Sequence, residues 1–174
     1  MTGCRPQRRS GRLILLPAAL LLLAPLAANA GGDSTDDGVP FVGVFHPIVT
    51  GFSVDPIRCP DASHPLALTF TGEADTTLGH VTFTQSHCED FTHTSFRRGL
   101  QVITIADGSQ LSGTYHGQLL PTPTTAIDGK LIIDGVYRNT GGTGTLSKAH
   151  GMGISAGVVD TTTGAAEVAV SGTL

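Results

Sequence analysis

The chain has 174 residues, with 10 basic and 14 acidic side chains and no tryptophan. Four basic residues but no acidic ones lie in the first 30 residues, so the remainder has six basic against 14 acidic residues and a formal charge of −8. This charge excludes the basic surface typical of nucleic-acid-binding proteins and disfavours attraction to anionic lipid.

Residues 1–30 have the features of an export signal. Four arginines precede an uncharged apolar run at residues 13–27, and the sequence Ala28-Asn29-Ala30 supplies a small-x-small cleavage pattern. The run is short for a membrane-spanning helix, which needs roughly twenty residues. We therefore expect cleavage after Ala30 and a secreted or periplasmic protein without a membrane anchor. Residues 31–38 are small and acidic, and they are expected to form a flexible tail.

The rest of the chain has the composition of an all-β domain. It holds 21 glycines and 22 threonines but two lysines; threonine favours strands and glycine favours turns and bulges, whereas helix formers are scarce. Turn signals separate the candidate strands, of which the fourth could be two strands bent at Gly99. The candidate strands are residues 39–45, 66–74, 81–87, 91–105, 110–118, 130–138, 152–160 and 165–173. We expect one domain over residues 39–174.

Eight strands with few helices favour an eight-stranded antiparallel β-barrel. Closure removes the exposed sheet edges that promote aggregation, and eight strands leave an interior suited to side chains or to one small ligand. A sandwich of two sheets is the alternative.

Two cysteines remain after removal of residues 1–30, which contain Cys4. In an oxidising compartment Cys59 and Cys88 are expected to form a disulfide, the alternative being two buried thiols. His87 and His93 flank the acidic pair that follows Cys88, and they are expected to be surface residues. Because Cys88 is expected in a disulfide and the sequence contains no His-x-His pair, we expect no metal site. No cofactor is expected either.

The segment at residues 141–153, GGTGTLSKAHGMG, contains five glycines. A phosphate-binding loop would require a preceding strand and a following helix, together with a GK[ST] motif or a later ribose-binding acid. The segment contains no GK[ST], and no long helix is expected after it. A structural role fits better, because glycine permits positive φ and close approach of backbones. The glycines predicted to be structural are Gly141, Gly142, Gly144, Gly151 and Gly153. One short helical turn is expected near residues 144–149.

This segment resembles the GGTGxFxxAxGxG signature shared by dirigent proteins and allene oxide cyclase-like barrels, which include secreted bacterial members of unassigned role. The preceding stretches TGEADTTLGHVTFTQSHC and ADGSQLSGTYHG also resemble those bacterial members, so the resemblance covers residues 66–174. It implies an eight-stranded antiparallel barrel with an apolar central cavity. Leu146 stands where the signature usually has phenylalanine. No local motif matches the catalytic residues of these families, so none is carried over.

Five polar residues are candidates for contact with a ligand: Glu73, His80, Tyr115, Asp134 and Tyr137. Glu73 and His80 meet at a hairpin, where they would form a proton-transfer pair if they faced a cavity and a solvated cluster if they lay on the rim. Either tyrosine could donate a hydrogen bond to a ligand oxygen. Asp134 lies in an apolar strand with parity opposite to Tyr137, so its role depends on which face lines the interior.

Three functional hypotheses follow for such a barrel. The first is binding of a small, mostly apolar molecule in the central cavity. The second is a cyclase or isomerase of the allene oxide cyclase-like type that shapes a substrate in the same cavity, for which few reactive groups are needed. The third is a non-catalytic envelope protein with a filled barrel.

Overall fold

The structure, a computed structural model, describes residues 38–174. Eight antiparallel strands form a closed barrel in which each strand pairs with the next along the chain and the last pairs with the first. The strands are β1 Pro40–Val54, β2 Leu66–Thr76, β3 Gly79–Glu89, β4 Ser95–Thr104, β5 Gln110–Pro121, β6 Lys130–Gly142, β7 Gly151–Asp160 and β8 Ala165–Thr173. The predicted fold class is confirmed. The predicted signal peptide, and the acidic tail up to residue 37, lie outside the described residues.

The strands alternate between inward and outward side chains, as their sequences predicted. In β8, Val168 and Val170 face the core, whereas Glu167 and Ala169 are exposed. A period of two in burial is what a barrel wall requires, since successive side chains of a strand point to opposite faces. Across residues 38–174, no helix is long and apolar enough to cross a membrane.

β1 is longer than the sequence predicted. The prediction ended the strand at Phe45 because prolines follow, yet the structure continues it through Pro47 to Val54. Pro47 is paired with Gly72 of β2, while the register of β1 with β8 passes from Phe45 to Ile48 without it. Pro47 has no N–H group to donate, and the strand accepts it because the ladder between β1 and β8 has a gap at this position.

The fourth strand is a single strand with a bulge. The structure places the turn at residues 90–94 and begins β4 at Ser95. The register with β5 shifts between Phe96 and Gly99, where Arg98 adopts a φ of +53°. The predicted bend at Gly99 is therefore a bulge rather than a break between two strands.

A short 3-10 turn at Gly144–Leu146 covers one end of the barrel, as predicted. Leu146 is buried against the core that includes Phe41, Ile103 and Leu111, so the usual position of the signature phenylalanine is filled by an aliphatic side chain. A second helical turn, α1 at Thr125–Asp128, joins β5 to β6 at the other end and was not predicted.

The glycines of this segment allow the chain to pass close to its neighbours. Gly144 has a φ of +57°, which disfavours other residues. A Cβ atom on Gly142 would overlap the carbonyl oxygen of Gln110, and one on Gly151 or Gly153 would overlap a carbonyl oxygen of β8. The glycines therefore permit the close approach of this segment to β5 and β8.

The predicted disulfide between Cys59 and Cys88 is present and buried. It fastens the loop between β1 and β2 to β3. The guanidinium of Arg58 in the same loop donates hydrogen bonds to the backbone carbonyls of Ser86 and Arg98. The loop is thus tied across β3 and β4 beside the inward-facing His87.

Candidate functional site

The barrel contains an apolar cavity of about 200 Å³. It extends from the end where β3 meets β4 and β7 meets β8 towards Phe41 and Tyr137 in the core. His93, whose side chain is half exposed, lines the outer part, so the cavity reaches the surface there. Much of its wall is formed by Phe70, Phe96, Leu119, Leu131, Ile133 and Val159.

Glycines opposite the aromatic rings keep this interior open. A Cβ atom on Gly99 would lie 2.6 Å from the ring of Tyr115, and one on Gly117 would lie 2.5 Å from the ring of Phe96. The rings therefore lie against bare backbone of neighbouring strands. Larger residues at these glycines would push the rings into the space that the cavity occupies.

A chain of four hydrogen-bonded side chains lies along one side of the cavity; we call it the His87 chain, and its members are Tyr115, His87, Glu89 and His93. An ionised carboxyl group accepts hydrogen bonds but donates none. With Glu89 ionised and His87 neutral, Nε2 of His87 donates to Glu89 at 3.2 Å, and Nδ1 of His87 accepts the O–H of Tyr115 at 3.1 Å. The other oxygen of Glu89 accepts from Nδ1 of His93 at 2.6 Å.

The His87 chain is held rigidly by its surroundings. The imidazole of His87 stacks on Phe96 at a centroid distance of 5.0 Å and contacts Phe70 at 4.8 Å. His87 and Glu89 are only 8% and 3% exposed. Because both rings and both hydrogen bonds fix His87, its orientation does not depend on a ligand.

Asp90 fixes the turn that carries His93. Its carboxylate accepts hydrogen bonds from Thr92, Thr94 and Ser95. Burial alone would raise the pKa of Asp90, but these hydrogen bonds outweigh it and hold the pKa well below the usual range. The carboxylate of Asp90 therefore stays ionised at neutral pH and keeps the turn ordered. Within this turn His93 has a φ of +53° and faces Glu89.

A second polar group crosses the inner part of the barrel; we call it the amide row, and its members are Gln85, Gln101 and Asn139. Nε2 of Gln85 donates to Gln101 at 3.4 Å, and Nε2 of Gln101 donates to Asn139 at 3.1 Å. Gly113 lies between Gln101 and Asn139 in the register, and its missing side chain lets the two amides meet. Gln85 and Gln101 line the cavity.

Two buried polar atoms near the amide row lack a hydrogen-bond partner: the hydroxyl of Tyr137 and Nδ2 of Asn139. Tyr137 is 5% exposed and lines the cavity. Burial raises the pKa of Tyr137 to about 12 and raises the pKa of Tyr115 further above its usual value. Both hydroxyls therefore remain protonated at neutral pH.

The five predicted ligand candidates divide between the two faces of the wall. Tyr115 and Tyr137 line the cavity, whereas Glu73, His80 and Asp134 are exposed and do not. Asp134 faces outward because its parity on β6 is opposite to that of Tyr137.

Glu73 and His80 lie at the exposed hairpin rim. His80 lies 3.0 Å from Asp75 and 3.6 Å from Glu73, and its hydrogen bond with Asp75 raises the pKa of His80. This is the solvated cluster that the sequence analysis gave as the alternative to a proton-transfer pair.

Sequence reasoning missed several residues of the site. His87 was expected at the surface, which is wrong: it continues the inward alternation of Val81 and Phe83 and is buried. The same parity rule places Asn139 inward, two residues after Tyr137. Alternation was the available signal for both, and the polar character of the side chains concealed it.

Residues 38–174 contain no cluster of three or more histidine, cysteine, aspartate or glutamate side chains that could hold a metal ion. His87, Glu89 and His93 are instead hydrogen-bonded to one another.

In comparisons with known proteins, no family model, curated protein or solved structure matches this chain. The resemblance to the allene oxide cyclase-like and dirigent families therefore stays a prediction from sequence.

Proposed function

We propose that this protein binds one small, mostly apolar molecule inside its barrel. The observation that carries the proposal is the apolar cavity of about 200 Å³ that reaches the surface at His93. A dry apolar cavity of roughly 150 Å³ already binds benzene in an engineered protein, so this volume suits a somewhat larger molecule. A filled barrel, the third hypothesis, would leave no such space.

Native mass spectrometry of protein purified without refolding tests the proposal. We expect a bound molecule of a few hundred daltons or less, or an empty protein that takes up benzene in an NMR titration. The variant Ala166→Phe places a ring in the cavity and should abolish binding. Its matched control is Ala165→Phe, which adds the same ring to the exposed face and should bind as the unmodified protein does.

The two variants also define failure. If Ala166→Phe folds, as judged by circular dichroism, and still binds benzene with unchanged affinity, the molecule lies elsewhere. If the unmodified protein neither retains a molecule nor takes up benzene, the binding function is excluded for ligands of this kind.

We also propose that the protein works outside the cytoplasm, secreted or in the periplasm. The disulfide between Cys59 and Cys88 supports this location, since such bonds persist in oxidising compartments. The export signal predicted at residues 1–30 supports it from the sequence. Intact-mass measurement of the exported protein should give a chain that begins at Gly31. A cytoplasmic protein that retains residues 1–30 would contradict the proposal.

A second candidate function is isomerisation or cyclisation of the bound molecule. The His87 chain favours it, because it places the imidazole of His87 and the carboxylate of Glu89 on the cavity wall, and these are the groups that general acid–base catalysis uses. If a co-purified molecule interconverts between isomers, Glu89→Gln should slow the interconversion. Equal rates in both proteins would exclude the chain as the catalyst.

A further inference from the structure

Half of the lysine and arginine residues in the described part of the chain line one groove on the outer wall of the barrel. The groove lies where β4 meets β5, and its three cationic residues are Arg58, Arg97 and Arg98. The other three lysines and arginines of residues 38–174 do not line it. Positive charge is therefore concentrated at one place on a domain whose formal charge is negative.

The bulge in β4 brings two of these arginines to the same face of the wall. Successive side chains of a regular strand point to opposite faces, yet Arg97 and Arg98 are both exposed, between the buried Phe96 and Gly99. Three steps along β4, from Phe96 to Gly99, face two steps along β5, so β4 has one extra residue here. This extra residue turns Arg98 outward, where strict alternation would point it into the barrel.

The loop between β1 and β2 supplies the third arginine. The guanidinium of Arg58 is partly buried and donates to the carbonyl oxygen of Arg98 at 2.5 Å and to that of Ser86 at 3.3 Å. The disulfide between Cys59 and Cys88 holds the loop in place beside it. The charge of Arg58 is therefore fixed next to the bulge, and a ligand that uses it does not have to order this side chain.

No carboxylate of the described residues forms an ion pair with these arginines. The ion pairs within residues 38–174 all involve histidine, and no acidic side chain lines the groove. Asp61 lies near Arg97, but its pKa is lowered mainly by hydrogen bonds from Ser63, with a smaller contribution from Arg97. Three cations without an anion among them give the groove a positive potential that attracts an anionic ligand.

We propose that this groove binds a phosphate or sulfate group, either as the free ion or as the monoester of a small molecule. The N–H donors of guanidinium groups match the oxygens of these anions, and three positive charges favour a divalent anion over a monovalent carboxylate. The site lies on the outer wall, so it is separate from the cavity and does not depend on the function proposed for it.

Two further residues of the groove suit such a ligand. Thr114 is exposed in the lining and adds a hydroxyl donor, and Leu100, 51% exposed, offers apolar surface to the organic part of an ester. Polyanions are disfavoured, because the formal charge of −8 on residues 31–174 repels nucleic acid and anionic membranes. A small ligand therefore fits the groove better than a macromolecule does.

Titration followed by the Nε–Hε signals of arginine in proton–nitrogen NMR spectra tests the proposal. The probes are inorganic phosphate, phenyl phosphate and acetate, at a slightly alkaline pH and at an ionic strength held constant with sodium chloride. With phosphate, the signals of Arg58, Arg97 and Arg98 should shift until they saturate, whereas that of Arg138 on β6 should not. Acetate should bind about tenfold more weakly than phosphate. The tighter of the two phosphates identifies the free ion or the ester as the preferred ligand.

Arg98→Gln and Arg138→Gln form a matched pair, because each removes one positive charge from an exposed position of the wall. Arg98→Gln should weaken phosphate binding about tenfold or more through the loss of a charge-assisted hydrogen bond, and Arg138→Gln should leave it unchanged. Circular dichroism establishes that each variant is folded. Arg97→Gln gives a second test at a residue without positive φ, and it should weaken binding in the same way.

Several results would overturn the proposal. Shifts that acetate reproduces at equal concentration, or equal shifts at Arg138, would show that the groove does not select a divalent anion. Equal weakening by Arg98→Gln and Arg138→Gln would mean that net charge alone acts, and unchanged affinity in both Arg97→Gln and Arg98→Gln would place the anion elsewhere. Tighter binding of anionic vesicles or of a DNA oligonucleotide than of either phosphate would show that the partner is a macromolecule. Cavity binding stands or falls separately from all of these results.

Discussion

Tyr115 and Tyr137 lie directly opposite each other in the ladder between β5 and β6, yet only the hydroxyl of Tyr115 has a hydrogen-bond partner. Two chemically identical side chains at one level of the barrel therefore have different roles. Tyr115 holds His87 in place, whereas the hydroxyl of Tyr137 packs without a partner against the backbone of Gly153 and Gly172. Replacing each tyrosine by phenylalanine therefore compares the loss of a hydrogen-bonded hydroxyl with the loss of an unpartnered one.

Removing the two hydroxyls should affect stability differently. Tyr115→Phe leaves Nδ1 of His87 buried without a partner and should lower the free energy of unfolding by about 1 to 3 kcal/mol. Tyr137→Phe removes a buried hydroxyl that has no partner, so stability should stay the same or rise slightly. Urea unfolding followed by circular dichroism measures both. Equal decreases in the free energy of unfolding would show that the hydrogen bond between Tyr115 and His87 contributes no stability of its own.

The same residues predict the alkaline limit of the fold. The chain has two tyrosines, and burial raises the pKa of Tyr137 to about 12, against an unfolded value of about 10. The protonated hydroxyl is the form the folded state favours, so its contribution to stability is full below pH 10 and is lost as the pH rises towards 12. Tyrosinate absorbance should therefore appear only near or above pH 12, or together with unfolding.

The variants Tyr115→Phe and Tyr137→Phe assign this titration, since each leaves a single tyrosine. We expect the remaining Tyr137 to ionise before the remaining Tyr115, whose pKa burial raises further. Ionisation near pH 10 with an unchanged circular dichroism spectrum would mean that the hydroxyls are in contact with water.

The fold was predictable because its signals are local. Alternation such as that of Val168 and Val170 identifies each strand and its inward face, and the glycines of residues 141–153 indicate the close approach near the end of the chain. The length of β1 was not predictable, because whether a strand tolerates Pro47 depends on which ladder has a gap, and pairing with β8 decides that.

The site was less predictable than the fold. Alternation along a strand shows which residues share a face but not which face is inside. Asp134 and Tyr137 were therefore both candidates for contact with a ligand, and the structure shows that Tyr137 faces inward and Asp134 outward. The roles of the two tyrosines depend on His87, which lies on β3 and is far away in the sequence. Contacts across several strands of this kind are fixed by closure and stagger rather than by any local pattern.

The disulfide should contribute substantially to stability. It links residues 29 apart, for which the chain-entropy estimate is about 3 to 4 kcal/mol. The double variant Cys59→Ala/Cys88→Ala should lose this amount in urea unfolding, and a reducing agent should then have no further effect on it. A double variant as stable as the oxidised protein would show that Arg58 and its hydrogen bonds suffice to hold the loop.

Gly142 is expected to tolerate no side chain unless the backbone moves. A Cβ atom there would overlap the carbonyl oxygen of Gln110 and lie 2.9 Å from that of Leu146, so backbone would have to move on both sides. Gly142→Ala should cost about 3 kcal/mol or more, which is large for a single methyl group. The amide of Thr143, which donates to Gln110 at 2.8 Å, should also lose protection from hydrogen exchange.

Gly108→Ala is the control for Gly142→Ala. Gly108 has a φ of +83° but open space around it, so alanine there meets backbone strain alone, about 1 to 2 kcal/mol. A larger loss at Gly142, together with faster exchange at Thr143, would show that the close approach of Gly142 to Gln110 excludes a side chain there. Equal losses with unchanged exchange would mean that the segment adapts to a side chain, and that the signature glycines act through their turn conformations alone.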